Sequence, residues 1–127
     1  MWIPQLLLTD DDAAFREAVG EGLQRRGLNV TAAADGAEAI DIFESCELHL
    51  VVLDFNMPRV NGLQVLRHVR DSGRDVPCVL LSGELDETLV DAARQQDAYE
   101  VLSKPVRLQR LCETVLAALR TRHGWAG

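Results

Sequence analysis

Lysine is nearly missing from these 127 residues: twelve of the 13 basic side chains are arginine, and Lys104 stands alone. An ammonium kept among guanidiniums marks a position where a compact point charge serves better than a planar fork. Cysteine is scarce as well. Cys46, Cys78 and Cys112 are odd in number and form no CxxC pair. That excludes a disulfide framework and a zinc site, and reads as three buried, small apolar residues of a reducing compartment. Long hydrophobic runs are lacking, so no transmembrane helix is expected. The opening Trp2-Ile3-Pro4 reaches Asp10-Asp11-Asp12 too soon to leave a signal-peptide core, and the cytoplasm is the expected location. Positive charge is short overall, with 13 Lys and Arg against 20 Asp and Glu, a net charge of −7 and a pI near 4.8. A nucleic-acid binder needs a basic face for phosphate, and with this balance no direct nucleic-acid contact is expected. The remainder, 47% hydrophobic and 26% charged, is ordinary for a globular chain and excludes a disordered or low-complexity one. Residues 1–127 are expected to form one domain.

Apolar runs alternate with amphipathic stretches. Strands are predicted at Gln5–Thr9, Asn29–Ala33, Leu48–Leu53, Val76–Leu81 and Glu100–Ser103. Between them, Phe15, Ala18, Val19, Gly22 and Leu23 share one helical face, as do Ala39, Ile40 and Phe43, then Leu63, Leu66 and Val69. Asp86–Gln96 is a weaker helix, and Leu108, Leu111, Cys112, Val115 and Leu119 form the inner stripe of a last one. Five strand–helix units with short links predict an α/β fold, a doubly wound five-stranded parallel sheet in the order 2-1-3-4-5 with five helices.

In such sheets, sites form outside the carboxyl ends of the strands, beside the point where strand order reverses. Strand one ends in Asp10-Asp11, strand three in Asp54, strand four in Ser82 and strand five in Lys104. Asp12 is the expected cap of the first helix. Three converging carboxylates repel one another unless a cation compensates them. With only oxygen donors at hand the cation should be hard, such as Mg²⁺. Carboxylate, hydroxyl and ammonium beside Mg²⁺ are the parts of phosphoryl transfer, with Asp54 as nucleophile. His49, His68 and His123 are scattered and receive no role, while Trp2 and Trp125 cover core edges.

These residues resemble the receiver domain of bacterial two-component response regulators, a CheY-like family. The resemblance is carried by Leu6-Leu7-Leu8-Thr9-Asp10-Asp11-Asp12, Val51-Val52-Leu53-Asp54-Phe55-Asn56-Met57-Pro58 with Gly62, Leu80-Leu81-Ser82-Gly83, and Leu102-Ser103-Lys104-Pro105. It implies that Asp54 is the phospho-acceptor and that Asp11, Asp54 and the backbone carbonyl of Asn56 bind Mg²⁺, with Asp10 acting through metal-bound water. Ser82 would be the switch hydroxyl, Lys104 the phosphate partner, and Lys104–Pro105 a cis peptide. The donor would be a phosphohistidine on a histidine kinase or phosphotransfer protein. Output would pass through the face of the fourth helix, fifth strand and fifth helix, to a downstream protein, an output domain or a second copy of the chain.

Two positions depart from the family pattern. An aromatic residue is usual where Val101 stands, and glycine is common at the place of Asp97. Tyr99 lies two residues before Val101 and shares its face if the strand extends that far, so Tyr99 is a candidate to take over the aromatic role. Asn56 and Glu84, each two residues beyond a site residue, would tune hydrolysis of the acyl phosphate. Two other functions stay open: a degenerate receiver that only binds proteins, and an aspartate-nucleophile phosphatase. The second lacks an acidic residue two positions after Asp54 and has no room for a cap. The resemblance implies a signalling domain that catalyses its own phosphorylation and dephosphorylation rather than an enzyme that turns over a metabolite.

Overall fold

A computed structural model describes residues 2–127. The elements are β1 (Gln5–Thr9), α1 (Ala13–Arg25), β2 (Asn29–Ala33), α2 (Gly36–Ser45), β3 (Leu50–Asp54), α3 (Gly62–Asp71), β4 (Cys78–Ser82), α4 (Glu87–Gln95), β5 (Glu100–Ser103) and α5 (Leu108–His123). All neighbouring strands pair in parallel, in the order β2-β1-β3-β4-β5. The expected fold is therefore the observed one. No helix among the described residues is long and apolar enough to cross a membrane.

Alternation within the central strands divides the core in two. Leu6, Leu8, Leu50, Val52, Val79 and Leu81 face α1 and α5, together with Val19, Leu23, Leu111, Val115 and Leu119. Leu7, Val51, Leu53, Cys78 and Leu80 face the other way, onto Ala39, Phe43, Val65, Leu66 and Leu89. Because β1, β3 and β4 are covered on both faces, their carboxyl ends are held rigidly at the middle of one sheet edge. Asp12, Asp35, Asn61 and Asp86 cap α1, α2, α3 and α4 by accepting from backbone N–H groups of the first turn. Asp12 does so at 3.2 Å from Phe15 N, as expected of it.

Several local expectations need correction. β3 begins at Leu50 rather than Leu48, although Leu48 is buried. β4 begins at Cys78 rather than Val76, because Pro77 has no N–H to give to a ladder. Ala18 is exposed while Gly20 is buried, which rotates the inner face of α1. Leu108 is 42% exposed and lies over Gly22 instead of in the inner stripe. Cys46 is exposed, unlike Cys78 and Cys112, since it closes α2 at the surface. Tyr99 precedes β5 and packs with the α5-side cluster, whereas Val101 packs with the α4-side cluster. The shared face needed an extended strand, and the strand starts one residue too late. Asp97, at the usual glycine position, adopts a left-handed φ of 58°, the conformation that favours glycine and that aspartate tolerates better than most residues.

Two ties between distant segments carry no local signature. Arg74 lies 4.0 Å over the Phe43 ring and donates to the carbonyls of Phe43 (2.6 Å) and Cys46 (3.0 Å), closing the carboxyl end of α2 from outside. Removing it should lower the unfolding free energy by about 1–2 kcal/mol, readable for Arg74→Ala by urea titration. The histidines are not all scattered either. His49 and His123 lie 5.4 Å apart between ring centroids, and the ring of Trp2 is 4.7 Å from His49. Trp125 is buried among the α5-side residues.

His49 Nδ1 accepts from Gln5 N at 2.9 Å, which requires the neutral ring. Burial, reinforced by the charge of His123 and opposed by Glu47, lowers the His49 pKa below 6.5. A depressed histidine pKa means stability present above pH 6.5 and lost as the pH falls through the folded value. His49→Asn, whose amide oxygen also accepts, should therefore lose less stability than wild type between pH 7 and 5 in parallel urea titrations.

Candidate functional site at the strand carboxyl ends

The strand order reverses between β1 and β3, and the two outgoing loops part to opposite faces of the sheet. Asp10 follows β1, Asp54 ends β3, Ser82 ends β4 and Lys104 follows β5. Asp10 is fully buried, Asp54 is 3% exposed and Ser82 1% exposed. Two carboxylates out of water at adjacent strand ends are costly without a counter-charge. Lys104 supplies it from across the sheet, with Nζ 2.7 Å from Asp10 Oδ2 and 3.4 Å from Asp54 Oδ2. The ammonium also lies 5.0 Å from the centroid of the Phe15 ring.

Backbone donors fix the remaining oxygens. Asp10 Oδ1 accepts from Asp12 N at 2.9 Å, and Asp54 Oδ1 accepts from Asn56 N at 3.3 Å. Asp11 is exposed, yet one oxygen from each of Asp10, Asp11 and Asp54 lies within 4.8 Å of the others. Three carboxylates against the single ammonium of Lys104 leave a formal −2 in an all-oxygen site, a charge and a donor set that fit a hard divalent cation. Gly62 permits the tight exit after Asp54: a Cβ there would stand 2.5 Å from the Asp54 carbonyl oxygen.

The Ser82 hydroxyl is hydrogen-bonded to Glu84 and not to Asp54. Its Oγ donates to the Glu84 carbonyl at 2.9 Å and accepts from Glu84 N at 3.2 Å, a turn closed on itself. Glu84 and Asn56 are exposed and line, with Phe55, Leu63 and Leu89, a hollow of about 260 Å³. Tyr99 and Val101 lie outside the acid cluster, on the rim of a separate hollow between α4 and β5. The Lys104–Pro105 peptide is cis.

One participant escaped sequence reasoning. Arg16 Nη1 donates to the Asp10 carbonyl at 2.6 Å, clamping the β1–α1 loop. Its only signal was a basic residue one turn after the run of aspartates.

Burial pushes the Asp54 carboxyl up from its ordinary value, and the charge of Asp10 adds to this. Lys104 and the Asn56 N–H oppose the shift without cancelling it. For Lys104, burial pulls the pKa down, but the Asp10 hydrogen bond and the charges of Asp10 and Asp54 outweigh it, and the net shift is upward. A raised carboxyl pKa means a contribution to stability present at acid pH and lost as the pH rises through the folded value. Asp54→Asn should therefore stabilise the Mg²⁺-free protein at pH 7–8. The gain should shrink toward pH 4, as urea titrations in EDTA would show.

Against this geometry stand the comparisons with known proteins. A sequence model described as the response regulator receiver domain matches residues 6–116, and the chain belongs to that family. It is similar to the response regulator MprA of Mycolicibacterium vanbaalenii, 37% identical over 116 residues, covering 91% of this chain and 50% of that protein. MprA of Mycobacterium avium is 36% identical over 116 residues, covering 91% and 51%. The chain thus spans about half the length of these curated relatives. Among solved structures it is similar to the chemotaxis protein CheY4 of Vibrio cholerae, with a TM-score of 0.87, 27% identity, and 93% and 100% of the two chains covered. The signal receiver domain of an HD domain-containing protein from Pseudomonas fluorescens gives a TM-score of 0.90 at 25% identity, covering 98% and 100%.

Proposed function

We propose that residues 1–127 form a single receiver domain, working in the cytoplasm, in which Asp54 takes a phosphoryl group from a phosphohistidine of a sensor kinase or phosphotransfer protein. The observation that carries this reading is the buried Asp54 carboxylate, held beside Asp10 and Lys104 at the strand ends. Asp11 and Asp54, with the Asn56 carbonyl, would hold Mg²⁺ directly, and Asp10 would hold it through water. When bound, the ion neutralises charge on the phosphoryl oxygens and orients them.

The remaining work falls to this chain. An oxygen of Asp54 forms the new O–P bond as the N–P bond of the donor breaks and the imidazole keeps the electron pair. Lys104, already 3.4 Å from Asp54, pairs with one phosphoryl oxygen. Ser82 leaves its turn with Glu84 and donates to another. That movement biases the face of α4, β5 and α5 toward the form that binds a downstream protein, an output domain or a second copy of the chain. Asn56 and Glu84, exposed beside the acceptor, set the access of the water that later hydrolyses the acyl phosphate. Tyr99 packs on the α5 side and not with Val101, so an aromatic relay through Tyr99 is not part of this proposal, and the switch acts with valine at position 101.

Incubation with acetyl phosphate and Mg²⁺ should add one phosphoryl group by intact mass. EDTA or Asp54→Asn should abolish the addition, and Lys104→Ala should slow it by about 100-fold or more. Failure with both acetyl phosphate and a phosphohistidine donor, while Mg²⁺ still binds, would overturn the reading in favour of a module that only binds proteins. Steady release of phosphate from many phosphomonoesters would overturn it in favour of a phosphatase.

A further inference from the structure

The loop between β3 and α3 carries Asn56 and so shapes the acceptor site. Its two ends are pinned, Phe55 N donating to the Leu81 carbonyl of the sheet at 2.7 Å and Gly62 N to the Phe55 carbonyl at 3.1 Å. Between them Val60 rests elsewhere, on the first turn of α2. A Cβ placed on Gly36 would stand 2.3 Å from the Val60 carbonyl oxygen and 2.8 Å from Val60 Cβ and Cγ1. No side chain fits into that gap. From this contact we infer that Gly36 and Val60 form the seat of the loop, and that Gly36 is a positioning residue of the acceptor and metal site. The inference rests on the roles proposed above for Asp54 and Asn56.

Neither side of the seat can yield cheaply. The start of α2 is locked by Asp35, which accepts from Glu38 N at 2.8 Å, and by the Glu38 carboxylate, which accepts from Ala34 N at 3.0 Å. On the loop side, Val60 N donates to the Pro58 carbonyl at 2.8 Å, and Arg59 holds a left-handed φ of 66°. Such a conformation in a non-glycine residue persists only where the surroundings over-determine it. A methyl group at position 36 must therefore push Val60. The loop has little slack, since Met57 N is also bonded to the Phe55 carbonyl at 3.1 Å. The displacement reaches Asn56, whose N–H to Asp54 Oδ1 is long already at 3.3 Å. Helix propensity alone predicts the opposite sign, because alanine favours a helix more than glycine does.

Gly20 supplies a matched control inside α1, where a Cβ would meet only Val30 Cγ1 at 3.9 Å. Gly36→Ala, Gly20→Ala and Val60→Ala should be compared with wild type by two readouts. In Mg²⁺-free protein, amide exchange at Asn56 is followed by NMR; Mg²⁺ affinity is then measured by calorimetry. Gly36→Ala should speed the exchange of Asn56 and weaken Mg²⁺ binding by about tenfold, the scale of a lost supporting contact at a metal site. Gly20→Ala should leave both at wild-type values. Should Gly36→Ala fail to fold, Val60→Ala trims the loop side of the seat and should move both readouts in the same direction. Wild-type exchange and affinity in Gly36→Ala, or in Val60→Ala if it alone folds, would overturn the inference. Absence of Mg²⁺ binding by wild type would instead overturn the functional reading, and the exchange measurement would still decide the seat.

Discussion

Two carboxylates buried side by side at the ends of neighbouring parallel strands repel each other, and the arrangement stands because one ammonium reaches both. Asp10 and Asp54 come from β1 and β3, and Lys104 comes from beyond β5, across the intervening β4. The sheet has to be complete before this balance exists, since the ion pairs join residues far apart in sequence. Site and fold are thus coupled in both directions. The rigid, doubly covered central strands hold the charges in place, and the residual negative charge sits in an all-oxygen donor set of the kind that fits a hard cation.

The loops around this cluster are built to be short and tight. Gly62 lets the chain turn back beneath Asp54, Gly36 lets Val60 of the same loop settle on α2, and Arg16 draws the β1–α1 loop inward through the Asp10 carbonyl. Ser82 differs from its neighbours, because its hydroxyl is satisfied locally by Glu84 rather than by the cluster. A hydroxyl bonded only within its own turn is one that other partners can engage at little net cost. The buried, ion-paired carboxylates are not of this kind.

Family membership gives this geometry its setting. Relatives such as MprA are about twice as long as this chain, and the match covers residues up to the body of α5. What the similarity conveys is the receiver architecture and its signalling class. Val101 and Asp97 are the positions at which this chain departs from the pattern that the resemblance implies. Asp97 holds the left-handed backbone that favours glycine, and Tyr99 and Val101 pack with different clusters of the core.

The five apolar runs and the amphipathic stretches between them were enough to define strands, helices and sheet order, because burial imposes its period directly on the order of residues. The residues closing the strands were legible for a related reason: in a parallel sheet every carboxyl end emerges on one edge. Asp12 as a cap was equally local, since a side chain there needs to reach only the next turn. Other features depended on elements that meet only in space. The exposure of Cys46, Ala18 and Leu108, the separation of Tyr99 from Val101, the pairing of His49 with His123, and the Arg74 clamp on α2 follow from the packing of one element against another. The same holds for the seat of Val60 on Gly36, where a glycine's importance lies in the backbone of another loop. Periodicity and end residues are properties of a chain read in order; contacts between distant segments are settled only when the layers close.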